Sequence, residues 1–283
     1  MKLITWNIQW GRGCDNIVDI NRISNLIKNI DDIDFICLQE VSVNHNKLPG
    51  LEGGNQVQEF ACIFPNYYIY YGPENDLLGE NGKRMQFGNL ILSKYPALQI
   101  FRHNFPFYNT PGVPCMPRVA LEIVVSIGKE SLRVITTHLE YYSLPQRLKQ
   151  IEYIRNIHEE AFSHSNNYLP NDSLDAPFKM PARPIKSVYC GDFNCKPNSD
   201  ELSRLLKPFN SPIPNLNDAW RVLNPNLDHA YTVGIHECSW PDKPYCCDYF
   251  FISENLSANL KGIYVDQNTN ASDHQPVILD LEI

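Results

Sequence analysis

Five short segments of the sequence set an acidic, amide or imidazole side chain directly after an apolar run. They are TWNIQ with Asn7, CLQE with Glu40, TTHLE with His138, CGDFN with Asp192 and Asn194, and SDHQP with Asp273 and His274, and a sixth, CCDYF, adds Asp248. Residues placed just past strands are where a rigid scaffold delivers side chains to a common rim. Oxygen donors of this kind, with no Cys-x-x-Cys pair and no paired histidine spacing, favour Mg²⁺ or Mn²⁺ over zinc. Magnesium takes one or two carboxylates and fills its octahedron with water and substrate phosphate. The chemistry implied is metal-assisted attack of water on phosphorus.

Each segment taken singly also has an ordinary structural meaning. Asn7 in a strand can serve a local hydrogen bond, Glu40 can cap the following turn, and a Gly-Asp-x-Asn turn is stabilised by its own Asp and Asn side chains. His138 reads equally as a satisfied core histidine, and the Asp273–His274 pair as solvated groups at a strand start. Their joint occurrence in order is what favours a site.

The elements that must hold these residues are mostly strands. Residues 2–8 alternate into a short strand, Asp19 opens a helix with Ile20, Ile23, Leu26, Ile27 and Ile30 on one side, and residues 33–38 make a buried strand that closes a β-α-β unit. Further strands are expected at 67–71, 88–92, 98–101, 119–127, 132–137, 187–191, 249–253, 260–265 and 276–281. A second helix starts at Ser143, with Pro145 in its first turn and Gln146 placed as in a capping box, and Leu148, Ile151, Ile154 and Ile157 form its buried stripe. The stretch 163–184 is rich in Pro, Ser, Asn and Asp and is expected to be a long surface loop. No composition shift marks a second domain, so residues 1–283 are expected to form one domain, with two antiparallel-rich sheets packed face to face and flanked by helices.

Composition agrees. With 43% of the 283 residues hydrophobic and 20% charged, a sizeable core is available and disorder over most of the chain is excluded. The net charge of −8 argues against holding nucleic acid by bulk electrostatics, though not against a local basic groove. There is no apolar run of the roughly 18 residues that span a bilayer and no signal-peptide pattern, so a soluble cytoplasmic protein is expected. The cysteine count, nine, is odd, which favours reduced thiols.

The ordered motifs TWNI, LQE, GDFN and SDHQPV, spread from Asn7 to His274, resemble those of the endonuclease/exonuclease/phosphatase superfamily. The resemblance implies a DNase-like α/β fold, a four-layer α/β sandwich of two mixed, mostly antiparallel sheets. It implies that Glu40 is the main Mg²⁺ ligand, helped by Asn7 and Asp273. It sets Asp192 and Asn194 against the scissile phosphate, His274 beside the attacking water with Asp248 orienting it, and His138 at the phosphate or leaving oxygen. The general base is either His274 or Asp192. Arg118 is placed like a phosphate-contacting arginine, and equally like a surface arginine at a strand start. Asn89 in FGNLILS resembles a supporting polar residue, and Arg147 and Gln150 a structural pair. Trp10, Tyr141, Tyr142 and Trp240 either stack on a base or sugar or cover core edges.

His138 stands where abasic-site endonucleases carry a tyrosine, and Phe193 where tyrosyl-DNA phosphodiesterases carry a small polar residue. The densest basic stretch, 81–84, has only Lys83 and Arg84. These departures count against an abasic-site specialist and against long duplex binding, while the resemblance as a whole implies a phosphodiesterase, expected to be monomeric and to act on nucleic acid as an endo/exonuclease or an end-processing enzyme. The alternative substrate is a phospholipid headgroup or small phosphorylated metabolite. A member that only binds would be expected to have lost a ligand or imidazole, and all of them are present.

Overall fold

In a computed structural model of the protein, residues 1–80, 82–168, 175–236 and 240–283 are described. The strands are β1 (Lys2–Asn7), β2 (Ile33–Val43), β3 (Tyr68–Leu78), β4 (Arg84–Ser93), β5 (Ala97–Asn104), β6 (Val119–Ile127), β7 (Glu130–His138), β8 (Ser187–Asp192), β9 (Leu216–Asp218), β10 (Asp248–Ser253), β11 (Leu260–Val265) and β12 (Val277–Leu281). The α-helices are α1 (Ile20–Lys28), α2 (Gln56–Ile63), α3 (Leu144–Asn166), α4 (Asp200–Leu205) and α5 (Ala219–Leu223). The strands form two six-stranded sheets, ordered β11-β12-β1-β2-β4-β3 and β5-β6-β7-β8-β10-β9. This is the expected pair of mixed, mostly antiparallel sheets. β1 runs parallel to β2, with α1 in the crossover, and β7 runs parallel to β8, with α3 in the crossover.

Three apolar clusters account for this layering. Leu3, Phe35, Cys37, Leu121, Val134, Cys190, Phe250 and Leu279 fill the space between the sheets. Ile4, Trp6, Ile36 and Leu38 face the other way, onto Ile20, Ile23 and Ile27 of α1 and Phe60 of α2. On the second sheet, Ile135, Tyr189 and Phe251 meet Ile151, Ile154 and Ile157 of α3. Central strands are thus buried on both faces, which is why they read as unbroken apolar runs. Each such side chain contributes about 1.5–3 kcal/mol by leaving water.

The helix starts follow local chemistry. Asp19 accepts from the backbone N–H groups of Asn21 and Arg22, and Ser143 Oγ accepts from Gln146 N–H. The capping box at α3 is only half formed, because the Gln146 side chain accepts from Tyr108 N–H instead. α3 also continues to Asn166, so residues 163–166 of the stretch expected as loop are its last turn. Residues 169–174 of that stretch lie outside the described residues.

The expectation of reduced thiols throughout is corrected at Cys14, which is disulfide-bonded. Its sulfur lies 3.6 Å from Ser272 O, so the fold carries it to a part of the chain that sequence spacing cannot connect to it. Cys238 lies outside the described residues. Among the described residues no helix is long and apolar enough to cross a membrane.

Candidate active site

The two parallel strand pairs end at the same rim. Asn7 ends β1 in register with Gln39 of β2, and His138 ends β7 in register with Asp192 of β8. Asp192 also faces Asp248, the first residue of the antiparallel β10. Ligand sites of α/β sheets lie outside the carboxyl ends of parallel strands, and here one such pair from each sheet converges.

Local backbone chemistry aims the groups. The β2–β4 register shifts between Leu38 and Val41, and within that bulge Glu40 takes a left-handed φ of 62°. Bulges re-aim side chains in this way, commonly beside active sites. Gly191 has φ 133°, and a Cβ there would lie 1.9 Å from Thr137 O, so the strand that delivers Asp192 passes β7 at a distance only glycine permits. The motif residues also bind one another. Gln39 donates to Thr5 Oγ1 and Thr136 Oγ1, joining three of the segments across the two sheets. Trp6 Nε1 donates to His274 O, and Ser272 Oγ donates to Asn7 O, so the first and last segments interlock. Phe193 is buried edge-on against Phe251, which anchors the turn carrying Asn194.

Asp192 is the centre of the site. Its Oδ2 accepts from Asn7 Nδ2 at 3.1 Å and lies 3.4 Å from His138 Nε2 and 3.7 Å from His274 Nε2. Burial, with the nearby Asp248 charge, pushes its carboxyl up to about 6. His274 Nδ1 meets Asp248 Oδ2 at 2.9 Å. Burial alone would lower this imidazole, but the Asp248 and Asp192 carboxylates hold it well above its usual range. His138 has the opposite character: burial, then the charges of Arg118 and His274, keep it well below. One imidazole is therefore charged and the other neutral, on either side of one carboxylate.

Glu40 and Asp273 make the second focus. Burial and the charge of Asp273 push Glu40 up to about 7, and burial also raises Asp273. Asp273 Oδ2 accepts from Gln9 Nε2 at 2.8 Å. Asn7 bridges the two foci, since its Nδ2 also donates to Glu40 Oε1 at 3.1 Å while its Oδ1 accepts from Gln9 N–H. Four carboxylates thus gather around one imidazolium, and the guanidinium of Arg118 is already paired with Glu74 at 3.1 Å. Such a surplus of buried negative charge suits a divalent cation.

The sequence-predicted residues fall on this rim or directly behind it. Asn194 N–H donates to Asp192 Oδ1, and its side chain donates to Leu139 O. Arg118, Trp10, Tyr141, Tyr142 and Trp240 line the open cleft above, which has a volume of about 350 Å³. Asn89 lies deeper, donating to Glu74 Oε1 and Val119 O. Arg147 and Gln150 hold the backbone of Glu140 and Tyr141, a structural role. Two participants escaped sequence reading. Glu74 stands in a Gly-Pro context that gave no sign of a continuing strand. Cys247, counted only among the nine cysteines, lies 3.4 Å from Asp248 Oδ2 and, with Asp192, Asp248 and His274, completes a buried group whose ligand atoms lie within 4.8 Å of one another.

Known proteins share this fold. The chain is 22% identical to an exodeoxyribonuclease of Bacillus subtilis (strain 168) over the whole of both chains. Its fold matches an endonuclease/exonuclease/phosphatase from Beutenbergia cavernae DSM 12333 at TM-score 0.70 and 23% identity, covering all of this chain and 71% of that one. It matches D. rerio TDP2 complexed with a single-strand DNA product at TM-score 0.66 and 17% identity, covering 100% and 99% of the two chains. A sequence profile matches residues 4–274, so the chain belongs to the Endonuclease/Exonuclease/phosphatase family, whose members are hydrolases of phosphoesters.

Proposed function

We propose that the protein is a Mg²⁺-dependent phosphodiesterase that cleaves nucleic acid, as an exo- or endonuclease or at strand ends. The observation that carries this reading is the pair of imidazoles, His138 and His274, that flank Asp192 Oδ2 at 3.4 and 3.7 Å on the floor of an open cleft. A phosphodiester is already an anion, and its hydrolysis needs a proton acceptor for water, donors for the phosphoryl oxygens and a means of stabilising the leaving oxygen.

Asp192, whose Oδ2 lies 3.7 Å from Nε2 of the charged His274, receives the proton of the attacking water. Asp248 fixes the ring of His274 through Nδ1 and leaves Nε2 facing the reaction. Arg118 and the remaining N–H of Asn194 bind phosphate oxygens, and His138 acts at the phosphate or leaving oxygen. Glu40 and Asp273 would hold Mg²⁺, with Asn7 orienting Glu40 and Gln9 orienting Asp273, and the bound ion would supply charge neutralisation at the phosphate and leaving oxygen. Mn²⁺ fits the same oxygen donors.

For substrate, the aromatic rim supports stacking of exposed bases, since Trp240 lies 6.1 Å from His274 and 5.6 Å from Tyr141. The exodeoxyribonuclease name of the Bacillus subtilis relative and the single-strand DNA bound to D. rerio TDP2 support the same class. A phospholipid headgroup or small phosphorylated metabolite is the second reading, favoured by the single Arg or Lys among the described residues that line the cleft.

The test is Mg²⁺-dependent turnover of plasmid DNA, single-stranded oligonucleotides, bis-p-nitrophenyl phosphate and a phosphoinositide and sphingomyelin panel, with wild type and Asp192→Ala side by side. Nucleic-acid cleavage that falls at least ~10³-fold in the variant is expected. An Asp192→Ala protein of undiminished activity would sink the proposed site. Turnover confined to small or lipid phosphates would move the protein to the second reading.

A further inference from the structure

We propose that Glu74 is a positioning residue for substrate binding, holding Arg118 at the cleft and away from the metal-binding carboxylates. This rests on the reading above, in which Arg118 binds the phosphate.

The β3–β4 register shifts between Pro73 and Asn75, so Glu74 is the extra residue of a β-bulge. Instead of pointing to solvent from an edge strand, its side chain is buried. One carboxylate oxygen accepts from Arg118 Nη1 at 3.1 Å, and the other accepts from Asn89 Nδ2 at 3.1 Å. Asn89 also donates to Val119 O, the carbonyl next to Arg118, so the contact joins the two sheets. The bulge depends on Gly88: a Cβ there would sit 2.2 Å from Gly72 O and 2.8 Å from Glu74 N.

Arg118 is itself buried, and its Nε has no partner. A buried guanidinium must be paired, and its charge already reaches Glu40. Without Glu74, the nearest relief is for Arg118 to turn onto the carboxylates of the metal focus, which would remove the phosphate contact and occupy the cation's ligands together. Two bulges in one sheet therefore divide the work: the bulge in β2 aims Glu40 at the cation, and the bulge in β3 aims Glu74 at the arginine.

A double-mutant cycle on bis-p-nitrophenyl phosphate tests this. At saturating Mg²⁺, Glu74→Gln is expected to raise KM about ten-fold with kcat changed less than about three-fold, and to have no further effect on KM in an Arg118→Ala background. A merely structural Glu74 would give equal losses in both backgrounds, and that result would overturn the proposal, as would an Arg118→Ala protein with unchanged KM. If Glu74→Gln fails to fold, Glu74→Asp keeps the charge but withdraws the carboxylate, and a KM matching wild type would count against positioning. Inorganic phosphate titrated by calorimetry into wild type and Glu74→Gln reads the same contact without turnover. Weaker binding in the variant is expected and equal binding would overturn the inference, so it is decided separately from the hydrolysis reading, which Asp192→Ala tests.

Discussion

Glu40 shows how a single residue is prepared for a task that costs stability. Its backbone is left-handed, its carboxyl is pushed up to about 7 by burial and by Asp273, and a neutral donor, the Asn7 amide, binds it. Strain and uncompensated charge of this sort persist where a bound cation repays them. Glu40→Gln removes the charge and keeps the shape. We expect the Mg²⁺ concentration for half-maximal activity to rise about 10–100-fold, while the Tm of metal-free protein stays the same or increases. Metal titrations of activity, with thermal melts in chelator, check both. A metal-free Tm several degrees lower would mean that Glu40 supports the fold and not a cation site.

At the scale of elements, the outer face of the second sheet carries its own polar device beneath α3. His158 of α3 donates from Nε2 to Pro214 O at 2.8 Å, while its Nδ1 faces Arg133 Nη2 at 3.5 Å. Burial first, and then the charge of Arg133, lower this imidazole to about 4. A group lowered in the folded chain favours folding above its unfolded value, and that contribution is lost as pH falls toward the folded value. Stability is therefore expected to decline between pH 6.5 and 4, by on the order of 3 kcal/mol from this residue. Melts of His158→Gln across that range should show a flatter acid limb than wild type. Identical limbs would show that His158 is not the group responsible. α3 was legible because Ser143, Pro145 and the stripe of Leu148, Ile151, Ile154 and Ile157 mark it. α2, α4, α5 and β9 were not, being 8, 6, 5 and 3 residues long. Elements so short are set by packing and not by propensity.

The whole molecule carries a net charge of −8, and Arg118 is the one Arg or Lys among the described residues that line its cleft. If the substrate is a strand held by one arginine and an aromatic rim, affinity should depend weakly on salt. A slope of log K against log salt of about −1 is expected, where a protein tracking many phosphates gives a far steeper one. Binding of a single-stranded oligonucleotide to Asp192→Ala from low to moderate salt measures it, and a slope several times steeper would point to a basic track elsewhere on the surface. The sequence by itself determined which chemical groups the protein owns, and most strands and both long helices, because apolar periodicity and capping are local properties. It also placed Asn7, Glu40, His138 and Asp192 after strands and Asp248 and His274 just before them, from which a shared rim followed. Only the tertiary structure decided that His274 is charged and His138 neutral, that Asn7 bridges two carboxylates, that Cys14 is disulfide-bonded, and that a bulge turns Glu74 inward onto Arg118. Those outcomes depend on distances and burial between residues far apart in the chain, and a one-dimensional pattern carries neither.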